Sequence, residues 1–423
     1  MNTLIKNTSI LSMEDEKINI SNIYIENNLI KAVGYLDDFK ADRIIDGSNY
    51  LTMPGFINSH THVAMSHFRN YGNDTDLMTW LNDYIFPAEE NLNEIIVYNA
   101  SLLSFVEMIK SGTTSFADMY FFEEETIKAL ENSKLRAQIA RGLTFPDENF
   151  SKLKENINLF KKYNGKDDKL FIALGPHAIY TNTINYLKEI SNVAKEFNMS
   201  IHIHLSETKI ENDECIKKYG KTPTEVFDEC GIFDQKTIAA HGVYLTDNDL
   251  SILKEKNVSV VHNPSSNLKL SSGILDVTRL LDYGINVCLG TDSAASNNKQ
   301  SMLKEIEICA LLSKLKDASN LKAFEVLKMA TINGAKALGI DKLTGTLKAG
   351  KKADLIMINT NNVHHFPSDE LIASVCYSTY ESDIEYVFVD GDLLLDKGKL
   401  TYLDEDEILK RARKIHKDLL WLV

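Results

Sequence analysis

The chain has 423 residues, 44% hydrophobic and 25% charged, with a formal net charge of −14. That length accommodates one large domain with an accessory one, and the composition matches neither a disordered nor a membrane-spanning chain. The acidic balance argues against non-specific nucleic-acid binding, which works by neutralising phosphates, but it leaves nucleoside-sized ligands open.

The opening "MNTLIKNTSILSMEDEKINI" lacks the long apolar segment of a signal peptide, and no apolar stretch approaches the ~20 residues a membrane helix needs. Short β-like runs and turns alternate over residues 1–55. From residue 56 the texture changes, and short apolar runs ending in polar residues alternate with helical stretches. Eight such runs follow in order: "FINSHTH", "TTSFADMY", "LRAQIARGL", "LFIALGPHAIY", "SIHIHLSE", "TIAAHGVY", "VSVVHNPSSN" and "INVCLGTDSAA". Helical candidates such as "IIVYNASLLSFVEMIKSG" and "TINYLKEISNVAKEFN" lie between them. Eight β/α repeats predict a (β/α)8 barrel over residues 56–345. After that, "KADLIMINT" and "IEYVFVDGDLLL" return to β texture, so residues 1–55 and 346–423 are expected to pair as one small β-sandwich. The tail "EDEILKRARKIHKDLLWLV" carries Ile408, Leu409, Ala412, Ile415 and Leu419 at helical spacing. The five cysteines are scattered, odd in number and form no C-x-x-C pair, as expected of reduced thiols in a cytoplasmic protein.

Six histidines, His60, His62, His177, His204, His241 and His262, sit at or near the C-terminal ends of the eight runs. That is the face where barrel active sites are built. In a strand, side chains at i and i+2 share a face about 6.6 Å apart, so His60 and His62 can converge on one metal ion. His204 and Asp292, in "LGTDSAA", complete a candidate set of three imidazoles and one carboxylate, which suits zinc or ferrous iron. Each histidine taken singly is as readily a hydrogen-bonded core residue. The balance shifts because strands far apart in sequence all carry an ionisable residue at the same end. His202 is expected to pack beneath the site, His67 in the core, His364 and His365 in a loop, and His416 on a surface helix.

The segments "MPGFINSHTHVAMSHFRN", "DLMTWLNDYIFPAEENL", "LGPHAIYT", "HIHLSET" and "LGTDSAASNN" carry a resemblance that covers almost the whole chain. The chain resembles the amidohydrolase superfamily and, within it, the 5-methylthioadenosine/S-adenosylhomocysteine deaminases. H-x-H serves the whole superfamily, whereas "FPAEENL", "GPHAIYT" and "TDSAASNN" together are narrower. The resemblance implies hydrolytic deamination of an adenosine-type nucleoside, with metal ligands at His60, His62, His204 and Asp292. Two-metal members bridge their ions by a carboxylated lysine near the end of strand four. Here the nearest lysine, Lys169, precedes that strand, so one divalent ion per chain is expected, zinc first and iron as the alternative.

By the same resemblance Glu207 is the proton donor to the purine ring. His241 orients or deprotonates the attacking water, and Asp292 doubles as proton relay. His177 holds the purine, Glu89 accepts from the two ribose hydroxyls, and Ser296 contacts the base. Trp80 supplies an apolar wall or is a core residue of its helix. Arg141 meets the amino-acid carboxylate of S-adenosylhomocysteine. Family members often carry a second arginine where this chain reads "NFSKLKEN" with Lys152, and lysine keeps the charge without the planar fork. The alternatives are a guanine deaminase-like or triazine hydrolase-like enzyme, or a metal-free relative that binds without catalysing. Expected partners are a small-molecule nucleoside, with no nucleic acid and no membrane. A homo-oligomer is compatible with the sequence.

Overall fold

The computed structural model of the chain describes residues 1–367 and 369–420. Its first strands are β1 (Thr3–Leu11), β2 (Ile18–Glu26), β3 (Leu29–Gly34), β4 (Arg43–Asp46) and β5 (Tyr50–Pro54). The next eight are β6 (Phe56–Thr61), β7 (Thr113–Tyr120), β8 (Arg136–Leu143), β9 (Leu170–Pro176), β10 (Ile201–Leu205), β11 (Thr237–His241), β12 (Ser259–His262) and β13 (Val287–Leu289). These eight fall on the eight predicted runs and pair in parallel from β6 round to β13. They form the expected α/β barrel, with helices between them. β6 is buried along its whole length, as a parallel strand covered on both faces must be.

Closure brings β13 back to β6, where Asp292 N–H donates to the His60 carbonyl at 3.0 Å. Gly290 makes the approach possible, since a Cβ there would lie 2.6 Å from Asn263 Oδ1 and 2.8 Å from the His60 backbone.

The predicted helices have the ends their sequences specify. Asn93 Oδ1 accepts from Ile96 N–H to start Glu94–Lys110. Thr183 starts Ile184–Phe197, and Asn198 ends it in the left-handed conformation. The tail helix Glu405–Leu420 packs on Glu94–Lys110. Ile408 and Ala412 of its stripe are buried and Leu409 is exposed, while the side chain of Leu419 and residues 421–423 lie outside the described residues.

The chain ends do pair. β14 (Leu355–Asn359), β15 (Ile384–Val389), β16 (Asp392–Asp396) and β17 (Lys399–Leu400) join the N-terminal strands in one nine-stranded sheet, with β4 branching from β1. The seam is β5 against β14, antiparallel from Pro54–Leu355 to Tyr50–Asn359. This sheet has its own apolar core, including Ile5, Ile23, Ile30, Leu355 and Phe388. Among the described residues no helix is long and apolar enough to cross a membrane, and all five cysteines are free and buried.

One buried ion pair ties the barrel to this sheet. Arg136, at the start of β8, donates through Nε and Nη2 to the two oxygens of Asp354 at 3.0 and 3.1 Å. Asp354 also accepts from Asp390 N–H. Both side chains are almost wholly buried. Asp354→Ala leaves a guanidinium buried without its counter-charge and is expected to cost about 3–5 kcal/mol. Urea unfolding measures this as a lowered midpoint. Arg136→Met/Asp354→Leu should recover much of the loss, and a single-mutant cost near zero would mean the pair contributes nothing to the join.

Candidate active site

The strand ends deliver the predicted residues to one place. His60 is the penultimate residue of β6 and His62 follows its end, His204 lies in β10, and Asp292 follows β13. His62 Nδ1 faces the Met119 carbonyl and His204 Nδ1 faces the His177 carbonyl, the latter at 2.8 Å. A carbonyl only accepts, so each Nδ1 carries the proton and each Nε2 is a bare lone pair. Yet these two Nε2 atoms face each other at 3.3 Å, a distance at which two lone pairs cannot hydrogen-bond. His60 Nδ1 is held by His202 Nε2 at 2.8 Å, and His60 Nε2 is buried with no partner. Asp292 Oδ1 lies 3.6 Å from His60 Nε2 and 3.4 Å from His62 Nε2.

A tetrahedron with metal–nitrogen bonds of about 2.0–2.1 Å has edges of about 3.3–3.4 Å, close to these separations. Burial pushes the His60, His62 and His204 imidazoles toward the neutral form, with neighbouring histidines adding to the effect at His60 and His204. Neutral imidazoles are what a cation needs as ligands. The donor set therefore fits a divalent metal. Lys169 is elsewhere, 3.4 Å from both Asp390 and Asp392, and cannot bridge a second ion.

Glu207 and His241 stand beside this set. Glu207 accepts from Ser272 Oγ at 3.1 Å, and its second oxygen is 3.6 Å from His241 Nε2. Burial raises the Glu207 carboxyl pKa, favouring the protonated form, against the opposing pull of His241. At His241 burial pulls the other way, but the Glu207 and Asp292 carboxylates outweigh it and the imidazole pKa is raised. Asn267 Oδ1 accepts from His241 Nδ1 at 2.8 Å. Ser206, His241 and Asp292 all take positive φ, 48°, 74° and 58°. For residues with a side chain such backbone costs about 1–3 kcal/mol and clusters where geometry is constrained by function.

The set opens into a cavity of about 350 Å³, within the range of small-molecule sites. Helix Leu77–Thr79 widens into a π-helical stretch over Trp80–Ile85 and then continues to Glu89. This brings Trp80, Leu81, Ile85, Phe86 and Glu89 to the cavity wall. Trp80 is both wall and core, since it is buried and its Nε1 donates to the Tyr71 carbonyl at 3.3 Å. Glu89 accepts from Tyr120 Oη at 2.7 Å, and burial lifts its carboxyl to about 7. His177 also lines the cavity, and burial lowers it to about 3.

Three predicted contacts are not in the lining. Ser296 sits behind Ser293, bonded to its hydroxyl at 2.9 Å. Arg141 is paired with Glu155, and Lys152 Nζ is held by the Thr144 carbonyl at 2.8 Å. His262 is buried near its strand end and does not line the cavity, while His364 and His365 bond Asp383 far from the barrel mouth in sequence. The supporting residues that sequence reasoning missed are Tyr120, Asn267, Ser272 and Ser266, whose hydroxyl donates to Asp292 Oδ2 at 2.6 Å. Ser266, Asn267 and Ser272 fall in "NPSSNLKLSSG", whose polar run after strand seven was the available signal.

Comparison with known proteins agrees with this geometry. The model of the amidohydrolase family matches residues 51–394. A 5-methylthioadenosine/S-adenosylhomocysteine deaminase from Caldanaerobacter subterraneus subsp. tengcongensis is 47% identical over 98% of this chain and 99% of its own. A 5'-deoxyadenosine deaminase from Methanosphaera stadtmanae is 43% identical over 97% of both chains. The structure of an adenosine deaminase from Xanthomonas campestris with bound zinc superposes with a TM-score of 0.94, at 28% identity over 99% of this chain and 98% of that one. With near-complete coverage at this identity, the chain belongs to the amidohydrolase family, among its 5-methylthioadenosine/S-adenosylhomocysteine deaminases.

Proposed function

We propose that the chain is a metal-dependent deaminase of adenosine-type nucleosides, replacing the C6 amino group by oxygen with release of ammonia. The observation that carries this reading is the cluster of bare histidine nitrogens and Asp292 at the foot of a cavity whose wall holds Glu89. His60, His62, His204 and Asp292 would hold one divalent ion, zinc by preference. When bound, that ion supplies the acidity that makes water a competent nucleophile near neutral pH.

The chain's own residues then manage two protons. Protonated Glu207 gives its proton to purine N1, so that attack at C6 leaves no charge on the ring. One proton of the attacking water recharges Glu207, directly or by way of His241 and Asp292, and the other ends on the departing ammonia. The inosine-type product keeps the N1 proton. His177, held neutral by burial, can accept or donate a single hydrogen bond to the purine. Glu89 accepts from the ribose diol, with Tyr120 holding its carboxylate in place.

An ammonia-release screen over adenosine analogues, free purines and pterins tests the reading. Nucleosides should be turned over and free guanine should not; the reverse result would make the chain a free-base deaminase.

Glu89 gives a sharper test. Glu89→Ala should lower kcat/KM for every adenosine analogue by roughly 10- to 150-fold, the worth of a hydrogen bond to a charged group. The diol donates to the ionised carboxylate, so protonation removes the interaction. With the Glu89 carboxyl at about 7, KM should rise as pH falls through that value, and Glu89→Gln should flatten the rise. An unchanged pH profile of KM in Glu89→Gln would show that the carboxylate does not meet the nucleoside.

A further inference from the structure

The His62 ring is oriented through a peptide bond, and the far side of that peptide is held by a buried acid. His62 Nδ1 donates to the Met119 carbonyl. The N–H of the same peptide unit belongs to Tyr120, and it donates to Glu123 Oε1 at 2.6 Å. Glu123 opens helix Glu123–Ser133, but its side chain reaches back to the end of β7. The reversal is made at Phe122, which takes left-handed backbone angles, φ 53° and ψ 41°, at a cost of about 1–3 kcal/mol. Glu124 and Glu125 pair with Lys162 and Lys128, whereas Glu123, fully buried, forms no ion pair among the described residues. A carboxyl in that position is costly unless its hydrogen bonds repay the burial.

We propose that Glu123 is a positioning residue for the metal, the outer end of a carboxyl–peptide–imidazole relay that orients His62 and makes its Nε2 a better donor. This rests on the metal-site reading above and extends it to a residue that does not line the cavity. Glu123 draws on the Tyr120 N–H, which shifts electron density onto the Met119 carbonyl oxygen and strengthens its hold on His62 Nδ1–H. Linked hydrogen bonds polarise one another in this way inside a protein. The imidazole gains basicity at Nε2, as a metal-ligating histidine does from a directly bonded carboxylate. A weaker form of the same construction stands behind His204. Its Nδ1 donates to the His177 carbonyl at 2.8 Å, and the N–H of that peptide, on Ala178, donates to Thr181 Oγ1 at 3.2 Å. At His62 a carboxyl at 2.6 Å takes the place of that hydroxyl. Asp118 Oδ1 accepts from Val63 N–H at 2.8 Å and so fixes the backbone after His62 independently, which leaves the ring to Glu123. Burial and the Asp118 charge push the Glu123 carboxyl above its ordinary range, favouring the neutral acid. Its unprotonated oxygen still accepts, as the amide oxygen of a glutamine would.

The test titrates zinc into the metal-stripped full chain against a chelating dye. Glu123→Met keeps much of the length and bulk of the side chain but cannot accept a strong hydrogen bond. It should weaken zinc binding roughly 10- to 100-fold, the usual cost of losing an outer partner of a ligating histidine. Glu123→Gln can accept and should bind zinc as the native chain does. So should Asp354→Ala, which is destabilised at the join with the terminal sheet and shows what loosening alone does. Native affinity in Glu123→Met would overturn the proposal, as would an equal loss in Glu123→Gln or in Asp354→Ala. A second readout uses the native chain and stands even if Glu123→Met does not fold. With isotope-labelled tyrosine amides, and the Tyr120 signal identified by its loss in Tyr120→Phe, zinc should move that amide proton downfield. A metal on Nε2 makes Nδ1–H a stronger donor and so draws harder on every bond of the relay. A Tyr120 amide proton unmoved by zinc would overturn the proposal. A native chain that takes up no zinc would instead overturn the metal-site reading, and that failure is seen before any variant is made.

Discussion

Glu207→Gln should retain the metal, the fold and the cavity while turnover drops on the order of 10²-fold or more, the usual share of a general acid–base group. Glutamine has nearly the same shape and can still accept from Ser272, which bonds Glu207 at 3.1 Å. It cannot carry a proton from water to the ring. The environment is arranged for that task, since burial raises the Glu207 carboxyl pKa while His241, 3.6 Å away, offers a second proton site. The measurements are metal content, thermal unfolding and steady-state ammonia release on the same preparation. Near-native turnover would move the proton to another group, with His241 the first to examine. Lost metal would place Glu207 among the ligands instead.

His60→Ala or His62→Ala should abolish metal binding and reduce ammonia release to background. Each substitution removes one donor from a set whose atoms lie 3.3–3.6 Å apart. His60→Ala also strands His202 Nε2, whose partner is His60 Nδ1. A thermal readout is independent of activity. An ion that binds only the folded chain stabilises it in proportion to RT ln(1 + [L]/Kd). Zinc added to stripped protein should therefore raise the Tm of the native chain and leave the variants where they were. Full metal occupancy with activity retained in either variant would remove the assignment.

Much of this was legible in the sequence because a barrel turns linear order into position. Each strand end faces the same mouth, so "HTH", "HIHLSE", "AAHG" and "GTDS" could be brought together without knowing a distance. The terminal sheet was legible from texture alone. Side-chain commitments across elements were not. Arg141 reads as a free cation at a strand end, but its partner Glu155 lies on the following helix, and which carboxylate wins a guanidinium is settled in three dimensions. Ser296 shares the spacing of a base contact, yet the loop after β13 turns it behind Ser293. Tyr120 illustrates the opposite error. It ends β7 in "TTSFADMY" with no role assigned to it, and only the path of the π-helical stretch brings Glu89 within 2.7 Å of its hydroxyl. His202 was expected beneath the site, and there it fixes the ring of His60, whose free nitrogen faces Asp292.

The seam between β5 and β14 also has a consequence in time. Pro54 pairs with Leu355, so on the ribosome one side of β5 has no partner until some 300 further residues have been made. At about 5–20 residues per second that interval is roughly 15–60 s. Throughout it, β1 to β5 can form an incomplete sheet with an open edge, the kind of surface that recruits strands from other nascent chains. The edge is short, since β5 has five residues and ends in a proline, which cannot donate to a ladder. Slow synthesis between residues 54 and 355 should therefore increase aggregation of this protein more than slowing after residue 400, when every strand of the sheet has been made.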